Sequence, residues 1–412
     1  MNKEKHAIYI PAYSDGLMSM FYNYTDNDIS KKYQPDFEKK KSLRIFNKEL
    51  DPYFTNPYIL ISAGTQFRKE NFREKLQIGD ECHIFVDSGG FQLAMGTVNK
   101  DVFTDEVALK WSEANGNIFP ILDRPAFSKL YDYDYSLSKS LESAEYYAKN
   151  AKSESKVLNV MQGQNKTAME QWYKPMSKFK TFNGWGYGGS KGNLELIGNV
   201  LLILLNNGEF ERDECEYFHL FGFSSCEIML YMEYIQHIFN KKDIDVQLTY
   251  DSTSWNRGCV YGSYFLGGRF HGGITSMEEM NWTNTIDYKN LNKEVRFPCV
   301  CPICTDLVNS YGFFNTYNKK DELTFYKFNQ VIPFHNLKLQ MDFNEKVNKI
   351  VACNMKEVYQ EFFRGKIVQN LEIIDKVFDN PKNPDNPSIL ASVFVQKPTK
   401  TIPTDILNSF GK

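Results

Sequence analysis

The sequence contains no long apolar run and no large excess of charge. Among its 412 residues, no stretch reaches the ~18 apolar residues that a membrane-spanning helix needs. The first six residues lead into no apolar segment of the kind that follows the basic start of a signal peptide. The formal net charge is only −3, so any contact with nucleic acid must come from local basic clusters. These absences argue against membrane insertion and secretion and favour a cytoplasmic protein.

Cysteine is scarce, and most of it is scattered. Of the 8 cysteines, five stand far apart in the chain, which is typical of reduced thiols in a cytosolic protein: Cys82, Cys215, Cys226, Cys259 and Cys353. The remaining three fall within six residues, in the order Cys299-Val300-Cys301-Pro302-Ile303-Cys304, and His335-Asn336-Leu337 follows downstream. Three thiols this close would repel one another and oxidise if left bare.

Three thiolates and one imidazole are a preferred ligand set of Zn²⁺. The spacing therefore predicts a zinc site held by Cys299, Cys301, Cys304 and His335. Four protein ligands leave no open coordination position, so we expect the metal to be structural and the chemistry to lie elsewhere. The alternative is a group of three core cysteines with an unrelated helix histidine.

A second motif is the hexapeptide Asp87-Ser88-Gly89-Gly90-Phe91-Gln92. It follows the apolar run His83–Val86, which predicts a short buried strand that ends in a carboxylate and a glycine turn. A catalytic acid at the end of a barrel strand is presented in this way. The alternative is a plain strand-to-helix turn in which Asp87 caps the next helix.

The two motifs together resemble one family, the tRNA-guanine transglycosylases and their DNA-modifying relatives, which exchange guanine for a 7-deazaguanine base. DSGGFQ and the C-x-C-x2-C…H-N-L set are both hallmarks of that family, and their order and separation also match. The resemblance can be followed at intervals from about Tyr58 to about Val368, with divergent chain between the motifs.

The arrangement of short apolar runs, together with these motifs, predicts an α/β fold, a TIM-type (β/α)8 barrel with a zinc-binding subdomain. The domains expected are the barrel with an N-terminal extension (1–290), the zinc subdomain with a bracing helix (291–375) and an Asn/Pro-rich linker and tail (376–412). The predicted strands are Tyr58–Ser62, His83–Val86, Ile118–Leu122, Val157–Met161, Phe182–Tyr187, Tyr217–Phe221, Val246–Tyr250 and Arg269–His271. Polar residues at the ends of these strands should converge on one mouth of the barrel.

The resemblance implies a role for each matching residue. Asp251 matches the nucleophile that attacks C1′ of the target nucleoside and forms a covalent glycosyl-enzyme, and Asp87 matches the carboxylate that handles protons. Asp123 and Gln162 match residues that read the purine edge, while Phe91 and Phe221 match residues that stack on the base. The implied substrate-binding set is Ser88, Phe91, Asp123, Gln162, Gly188, Gly189 and Phe221. Phe221 can equally be a core residue, and His219 and His271 match no ligand position and are interpreted as ordinary core or rim histidines.

Departures from the family pattern favour its DNA-modifying branch. Ser252–Gly258 stands where bacterial tRNA enzymes carry an arginine-rich stretch. Arg124–Phe127 replaces the acidic-cysteine sequence that is usual in the family after the third predicted strand. The chain after the zinc motif is too short for the RNA-binding domains of the archaeal enzymes. The resemblance therefore implies insertion of 7-cyano-7-deazaguanine, or a derivative, into DNA. That branch occurs in phages and bacteria, and a phage-encoded enzyme would act in the host cytoplasm.

The expected partners are DNA and a free 7-deazaguanine base, with Zn²⁺ as cofactor. We nominate a set of basic residues as backbone contacts, namely Lys39, Lys40, Lys41, Arg44 and Arg257. Two alternatives stay open. One is a transglycosylase that acts on tRNA and binds it in a way that differs from the known tRNA enzymes. The other is a non-catalytic partner subunit that binds nucleic acid. Retention of both Asp87 and Asp251 argues against the second, because a pure binder has little need of two carboxylates in a base pocket.

Overall fold

The protein folds as a TIM-type barrel of eight parallel strands, which confirms the predicted fold class. The computed structural model describes residues 4–23, 41–126, 131–188, 195–223, 225–260, 263–268, 277–281, 299–308, 330–363 and 365–394. Around the sheet the order is β1-β8-β7-β6-β5-β4-β3-β2. The barrel strands are β1 Ile8–Pro11, β2 Tyr58–Ser62, β3 His83–Asp87, β4 Ile118–Pro120, β5 Lys156–Met161, β6 Gly184–Tyr187, β7 Tyr217–Leu220 and β8 Gln247–Ser252.

Strand β1 closes the barrel. It pairs in parallel with β8, with Ile10 opposite Asp251. On its other side Ala12 forms an isolated parallel bridge with Leu60 of β2, and the Tyr13 amide donates a 3.0 Å hydrogen bond to the Leu60 carbonyl. This strand was not predicted, because a four-residue run that ends in proline is a weak strand signal. The strand predicted at Arg269–His271 lies outside the described residues.

Helices follow the strands and form the outer layer. Polar N-caps begin several of them, since a side-chain oxygen accepts a hydrogen bond from an otherwise unpaired amide of the first turn: Thr104, Asp132, Asn165 and Ser225. The helices in the barrel region are α1 Asp15–Asn23, α2 Ala63–Gln66, α3 Phe72–Leu76, α4 Gly90–Ala94, α5 Asp105–Asn115, α6 Tyr133–Asn150, α7 Lys166–Met176, α8 Glu195–Asn206, α9 Cys226–Lys241 and α10 Ser254–Val260. Short 3-10 turns lie at Lys48–Leu50 and Glu209–Glu211.

The main core lies between the strands and the outer helices, and a smaller apolar cluster fills the inside of the barrel. The inner cluster consists of Ile10, Ala12, Leu60, Phe85 and Leu158, with Phe221 packed against it. Because these side chains fill the barrel, it is a packed core rather than a pore. The space open to a ligand is therefore at the mouth, above these residues.

The C-terminal part of the chain packs back on the barrel. Its described residues include an antiparallel pair, β9 Ser263–Gly268 and β10 Met277–Asn281, a π-helical turn at Cys304–Val308, and the helices α11 Ile332–Ala352, α12 Lys356–Phe362, α13 Gly365–Asp379 and α14 Asn386–Phe394.

Helix α9 is buried on almost every side, between the barrel and helices α11 and α13. Its mostly apolar sequence suits this position. The Tyr234 hydroxyl on α9 donates to Asp375 on α13 at 2.7 Å. Helix α14 packs against α8, so part of the segment expected to be linker is folded structure. Within the described ranges, no helix is long and apolar enough to cross a membrane.

Candidate functional site

Polar residues from five strand ends line one cavity at the carboxyl mouth of the barrel. Asp87 ends β3, Asp123 and Gln162 follow β4 and β5, Gly188 follows β6, and Asp251 lies near the end of β8. The cavity has a volume of about 680 Å³, within the range of small-molecule sites. Its wall also includes Phe91, Phe221 and Arg257. The predicted convergence of these side chains is therefore seen in the structure, at the face where barrel enzymes carry their active sites.

The glycines of the Asp87–Gln92 hexapeptide are required by close backbone contacts. Gly89 has a φ of 87°, in the left-handed region, and a Cβ there would lie 2.6 Å from the backbone of Gly64. A Cβ on Gly90 would lie 2.3 Å from the carbonyl oxygen of Asp123. The turn therefore brings the start of α4 directly against the Asp123 loop, and larger residues would push the two apart.

Asp123 is the centre of a buried hydrogen-bond network. Its Oδ1 accepts from the Ser88 hydroxyl at 3.0 Å, and its Oδ2 accepts from the Gln162 amide at 2.6 Å. Burial raises the pKa of Asp123, while these two hydrogen bonds act in the opposite direction. The amide oxygen of Gln162 is buried and has no hydrogen-bond partner among the described residues, so the network offers an acceptor beside the cavity.

Asp87 is a carboxyl group with a pKa near neutrality. Its pKa is raised to about 7, mainly by burial; the negative charges of Asp123 and Asp251 act in the same direction, and a hydrogen bond from Ser62 acts against them. A carboxyl group of this kind exchanges protons readily at physiological pH. The structure thus places a potential general acid and base in the same cavity as two other carboxylates.

Asp251 is held through one of its two oxygens. The Gly222 amide donates to Oδ1 at 2.9 Å, and Nε2 of His219 lies 3.2 Å from the same oxygen. Among the described residues, no hydrogen bond is found at Oδ2. Oδ2 is therefore the oxygen left for a reacting atom.

His219 was interpreted from sequence as an ordinary core or rim histidine, and its contact with Asp251 was missed. It is fully buried, and its ring stacks on Phe85 at a centroid distance of 4.0 Å. One signal was available: His219 lies two residues before Phe221, and inward-facing residues of a strand alternate with period two. The pairing of β7 with β8 shows the same alternation. His219 lies opposite Thr249, and Thr249 is two residues before Asp251.

The two aromatic residues of the cavity differ in exposure. Phe91 is 60% exposed although it is a large apolar residue, so it presents its ring to the cavity and to solvent. Phe221 is partly buried, with its ring 4.3 Å from that of His219 and 5.8 Å from that of Phe85. Phe221 packs on the inner cluster and also lines the cavity, and its stacking on a base stays a prediction.

The nominated basic residues fall into three groups. Arg257 is exposed and lines the cavity, and Lys41 is exposed with its ammonium 3.8 Å from Asp51. Lys39, Lys40 and also Gly189 lie outside the described residues. Arg44 corrects the expectation of a surface contact, because it is only 1% exposed. Its guanidinium donates to the carbonyls of Phe21 and Leu76 and lies over the Phe21 ring, so it stabilises the interior instead.

The predicted metal ligands form a cluster. The ligand atoms of Cys299, Cys301, Cys304 and His335 all lie within 4.8 Å of one another, so the site can hold a metal ion such as zinc. Backbone amides donate to the sulfurs: Cys301 N–H to Cys299 Sγ and Cys304 N–H to Cys301 Sγ, both at 3.4 Å. Such hydrogen bonds stabilise thiolates, which is the form that binds a metal.

A hydrogen bond to the backbone orients the imidazole of His335 for metal binding as well. Its Nε2 lies 2.8 Å from the Phe265 carbonyl, so Nε2 carries the proton and Nδ1 keeps its lone pair. That Nδ1 lies 3.5 Å from the sulfurs of both Cys299 and Cys301. The donor set therefore fits a tetrahedral thiolate and imidazole site, with the histidine tautomer fixed by the backbone.

Asn336 links this cluster to the face of the barrel that carries the cavity. Its side-chain oxygen accepts from the Phe265 amide at 2.8 Å, and its amide donates to the Trp255 carbonyl at 3.1 Å and to Cys259 Sγ at 3.0 Å. Trp255 and Cys259 belong to α10, which begins three residues after Asp251. The brace expected of the helix after His335 is therefore present, and it holds the element that follows the candidate nucleophile.

The fold and the site together define a TIM-type barrel protein with a cavity of converging carboxylates and a separate Cys3His cluster. Comparison with protein-family models found no match, and comparison with curated proteins found no significant one. Arguments about function therefore rest on the residues and their geometry.

Proposed function

We propose that the protein is a base-exchange transglycosylase that replaces guanine in DNA by 7-cyano-7-deazaguanine or a derivative of it. The observation that carries the proposal is the placement of Asp87 and Asp251 in one cavity with the Asp123–Gln162 pair. A double displacement at a glycosidic carbon needs a nucleophilic carboxylate and a separate group that moves protons. The cavity supplies both, together with a polar wall for the base.

The polar wall suits the donor-rich edge of guanine. Guanine presents N–H donors at N1 and N2, and the carboxylate of Asp123 and the unpaired amide oxygen of Gln162 are acceptors. A bound base would satisfy the buried Gln162 oxygen, which otherwise lacks a partner. The exposed ring of Phe91 provides a stacking face, and base-on-aromatic stacking contributes about 1–3 kcal/mol.

In the first half of the reaction, Oδ2 of Asp251 attacks C1′ of the target nucleotide. The bond from C1′ to N9 breaks, its electron pair passes to N9, and the neutral carboxyl group of Asp87 protonates the departing guanine. In the second half, N9 of the incoming base attacks C1′ and releases Asp251, while Asp87 takes the N9 proton. Asp87 thus ends each cycle in the protonation state in which it began, as its pKa of about 7 allows.

The polymer is proposed to be DNA, with the target nucleotide flipped into the cavity. Arg257, exposed on the cavity wall, is placed for contact with a phosphate. We further propose that the ion in the Cys3His cluster is zinc and that its role is structural, because the cluster offers four ligands and no open position. When bound, zinc neutralises the thiolates and ties the 299–308 segment to α11.

The test is exchange of labelled guanine by the purified protein into duplex DNA, single-stranded DNA and bulk tRNA. Asp251→Asn is expected to reduce exchange by about 10⁴-fold or more, because an amide cannot serve as nucleophile and leaving group. Asp80→Asn is the matched control and should leave exchange unchanged, since Asp80 is an exposed carboxylate in the turn between α3 and β3.

Near-normal exchange by Asp251→Asn would remove this residue from the mechanism. Label that enters tRNA but not DNA would establish the tRNA-acting alternative. Binding of nucleic acid without exchange by the unaltered protein would establish the non-catalytic one. Mass spectrometry of nucleosides from cells that express the protein identifies the inserted base.

A further inference from the structure

His219 contacts two other inward-facing residues of the barrel, Asp251 and Thr249. Nε2 lies 3.2 Å from Oδ1 of Asp251, and Nδ1 lies 2.8 Å from the hydroxyl oxygen of Thr249. Above and beside the ring are Phe85, stacked on it at 4.0 Å, and Phe221, edge-on at 4.3 Å. The imidazole is thus enclosed, and both of its nitrogens have a partner.

The partners of the imidazole select one tautomer. Asp251 is an acceptor when ionised, so Nε2 must carry the proton for the 3.2 Å contact to be a hydrogen bond. Nδ1 then keeps its lone pair and accepts from the Thr249 hydroxyl. That hydroxyl has one other acceptor in reach, the Phe218 carbonyl, at the longer distance of 3.4 Å. Burial lowers the pKa of His219, which keeps the ring neutral.

We propose that His219 is a positioning residue for the nucleophile: its neutral imidazole, oriented by Thr249, donates from Nε2 to Oδ1 of Asp251. Together with the Gly222 amide at 2.9 Å, it holds the carboxylate so that Oδ2 faces the cavity. The inference rests on the proposed function, because it assigns Oδ2 the attack on C1′.

The same two donors act on both halves of the reaction. In the glycosyl-enzyme, Oδ1 is the carbonyl oxygen of an ester, and it regains negative charge as the incoming base expels the carboxylate. Fixed donors aimed at an oxygen where charge develops accelerate such a step. A neutral donor suits the first half as well, because a full ion pair with an imidazolium would stabilise the free carboxylate and weaken it as a nucleophile.

A competing explanation is that His219 only fills space between Phe85 and Phe221. Two substitutions separate the explanations. His219→Phe keeps an aromatic ring in the apolar surroundings but removes the donor, whereas His219→Gln places an N–H near the position of Nε2. His83→Gln is the control, since His83 is exposed at the opposite end of β3 from Asp87.

The kinetic test measures exchange by these variants. His219→Phe is expected to lower kcat by about 10- to 100-fold, the effect of losing one hydrogen bond to a charged group, with the KM for the free base nearly unchanged. His219→Gln is expected to recover most of kcat. Equal kcat for His219→Phe and the unaltered protein would overturn the proposal, as would a His219→Gln variant that is folded yet no better than His219→Phe.

A second measurement does not depend on activity. In ¹⁵N-histidine NMR, with the His219 signal assigned by its loss in His219→Gln, the unaltered protein is expected to show Nε2 protonated and Nδ1 unprotonated. Thr249→Val should raise the share of the Nδ1-protonated form, and Thr249→Ser should not. A doubly protonated ring or an Nδ1-protonated ring in the unaltered protein would overturn the proposal. If no polymer accepts labelled guanine, the proposed function fails, and this measurement still decides whether His219 donates to Asp251.

Discussion

Three of the carboxylates that line the cavity, those of Asp87, Asp123 and Asp251, have different surroundings. Asp123 accepts from two side chains, Asp251 accepts from a backbone amide and faces an imidazole, and the pKa of Asp87 is raised to about 7, mainly by burial. Environments that separate the pKa values of neighbouring acids are the usual way to divide the roles of acid, base and nucleophile. At the residue scale, these surroundings support the proposed division of roles, in which Asp87 transfers protons, Asp123 recognises the base and Asp251 forms the covalent intermediate.

The raised pKa of Asp87 predicts a dependence of stability on pH. The unfolded chain releases this proton near the ordinary pKa of 3.8, whereas the folded protein keeps it up to about pH 7. Stability therefore falls as pH rises through this window, and the full cost is present above pH 7. Asp87→Asn removes the cost and should stabilise the protein more at pH 8 than at pH 5, by about 1–2 kcal/mol after allowance for partial exposure.

Calorimetry at the two pH values measures this difference. Asp80→Asn, a change at an exposed aspartate, is the control and should shift Tm equally at both. A smaller gain for Asp87→Asn at pH 8 than at pH 5 would contradict the assignment of the pKa.

At the scale of elements, helix α10 is the link between the two functional regions. It begins three residues after Asp251 and carries Arg257 on the cavity wall. Asn336 of α11 donates a hydrogen bond to its Trp255 carbonyl. The ring of Trp255 on α10 packs edge-on against those of Tyr13 and Phe334 at 5.2 and 5.8 Å. The position of the residues after the candidate nucleophile therefore depends on the packing of α11, the helix that carries His335.

Asn336→Ala tests this link. The change removes three hydrogen bonds of a fully buried side chain, and it should lower the free energy of unfolding by about 2–4 kcal/mol. Exchange should also fall, since α10 is less firmly held, while the metal ligands stay intact. Denaturant unfolding and metal analysis measure the two effects, with Lys346→Ala on an exposed position of α11 as the control. Loss of the metal in Asn336→Ala would show instead that this residue supports the ligands themselves.

At the scale of the whole molecule, the fold depends on contacts between distant parts of the chain. β1, near residue 8, completes the barrel by pairing with β8, near residue 250. The metal cluster joins the 299–304 segment to residue 335, and His335 in turn contacts Phe265 of β9. An ion bound there stabilises the folded state against the unfolded one, because the unfolded chain has no preformed site.

The metal prediction follows from this arrangement. The unaltered protein should contain one zinc per chain, and Cys301→Ser should lose the metal, lower Tm and reduce solubility. Cys353→Ser, at an exposed cysteine outside the cluster, is the matched control and should retain both metal and stability. Elemental analysis and thermal unfolding decide the matter. Fully active protein without zinc would refute the assignment of the ion.

Local patterns determined much of this protein in advance. Short runs of four to six residues, most of them apolar, together with the family motifs predicted seven of the barrel strands, because burial on both faces of a parallel strand favours apolar residues. The hexapeptide after β3 predicted a glycine turn, and the three cysteines within six residues predicted a metal cluster, which His335 completes from further along the chain. In each case most residues of the motif are close together in the sequence.

Only the tertiary structure decided the features that depend on residues far apart in sequence. β1 is too short to be recognised without its partner strands. Arg44 can be buried because the carbonyls of Phe21 and Leu76 accept hydrogen bonds from its guanidinium. The sequence likewise did not distinguish His219 from a core histidine. Its role depends on the register of β7 and β8, which places Asp251 beside Nε2 and Thr249 beside Nδ1. Such contacts arise when the strands pair and the barrel closes, and no local preference encodes them.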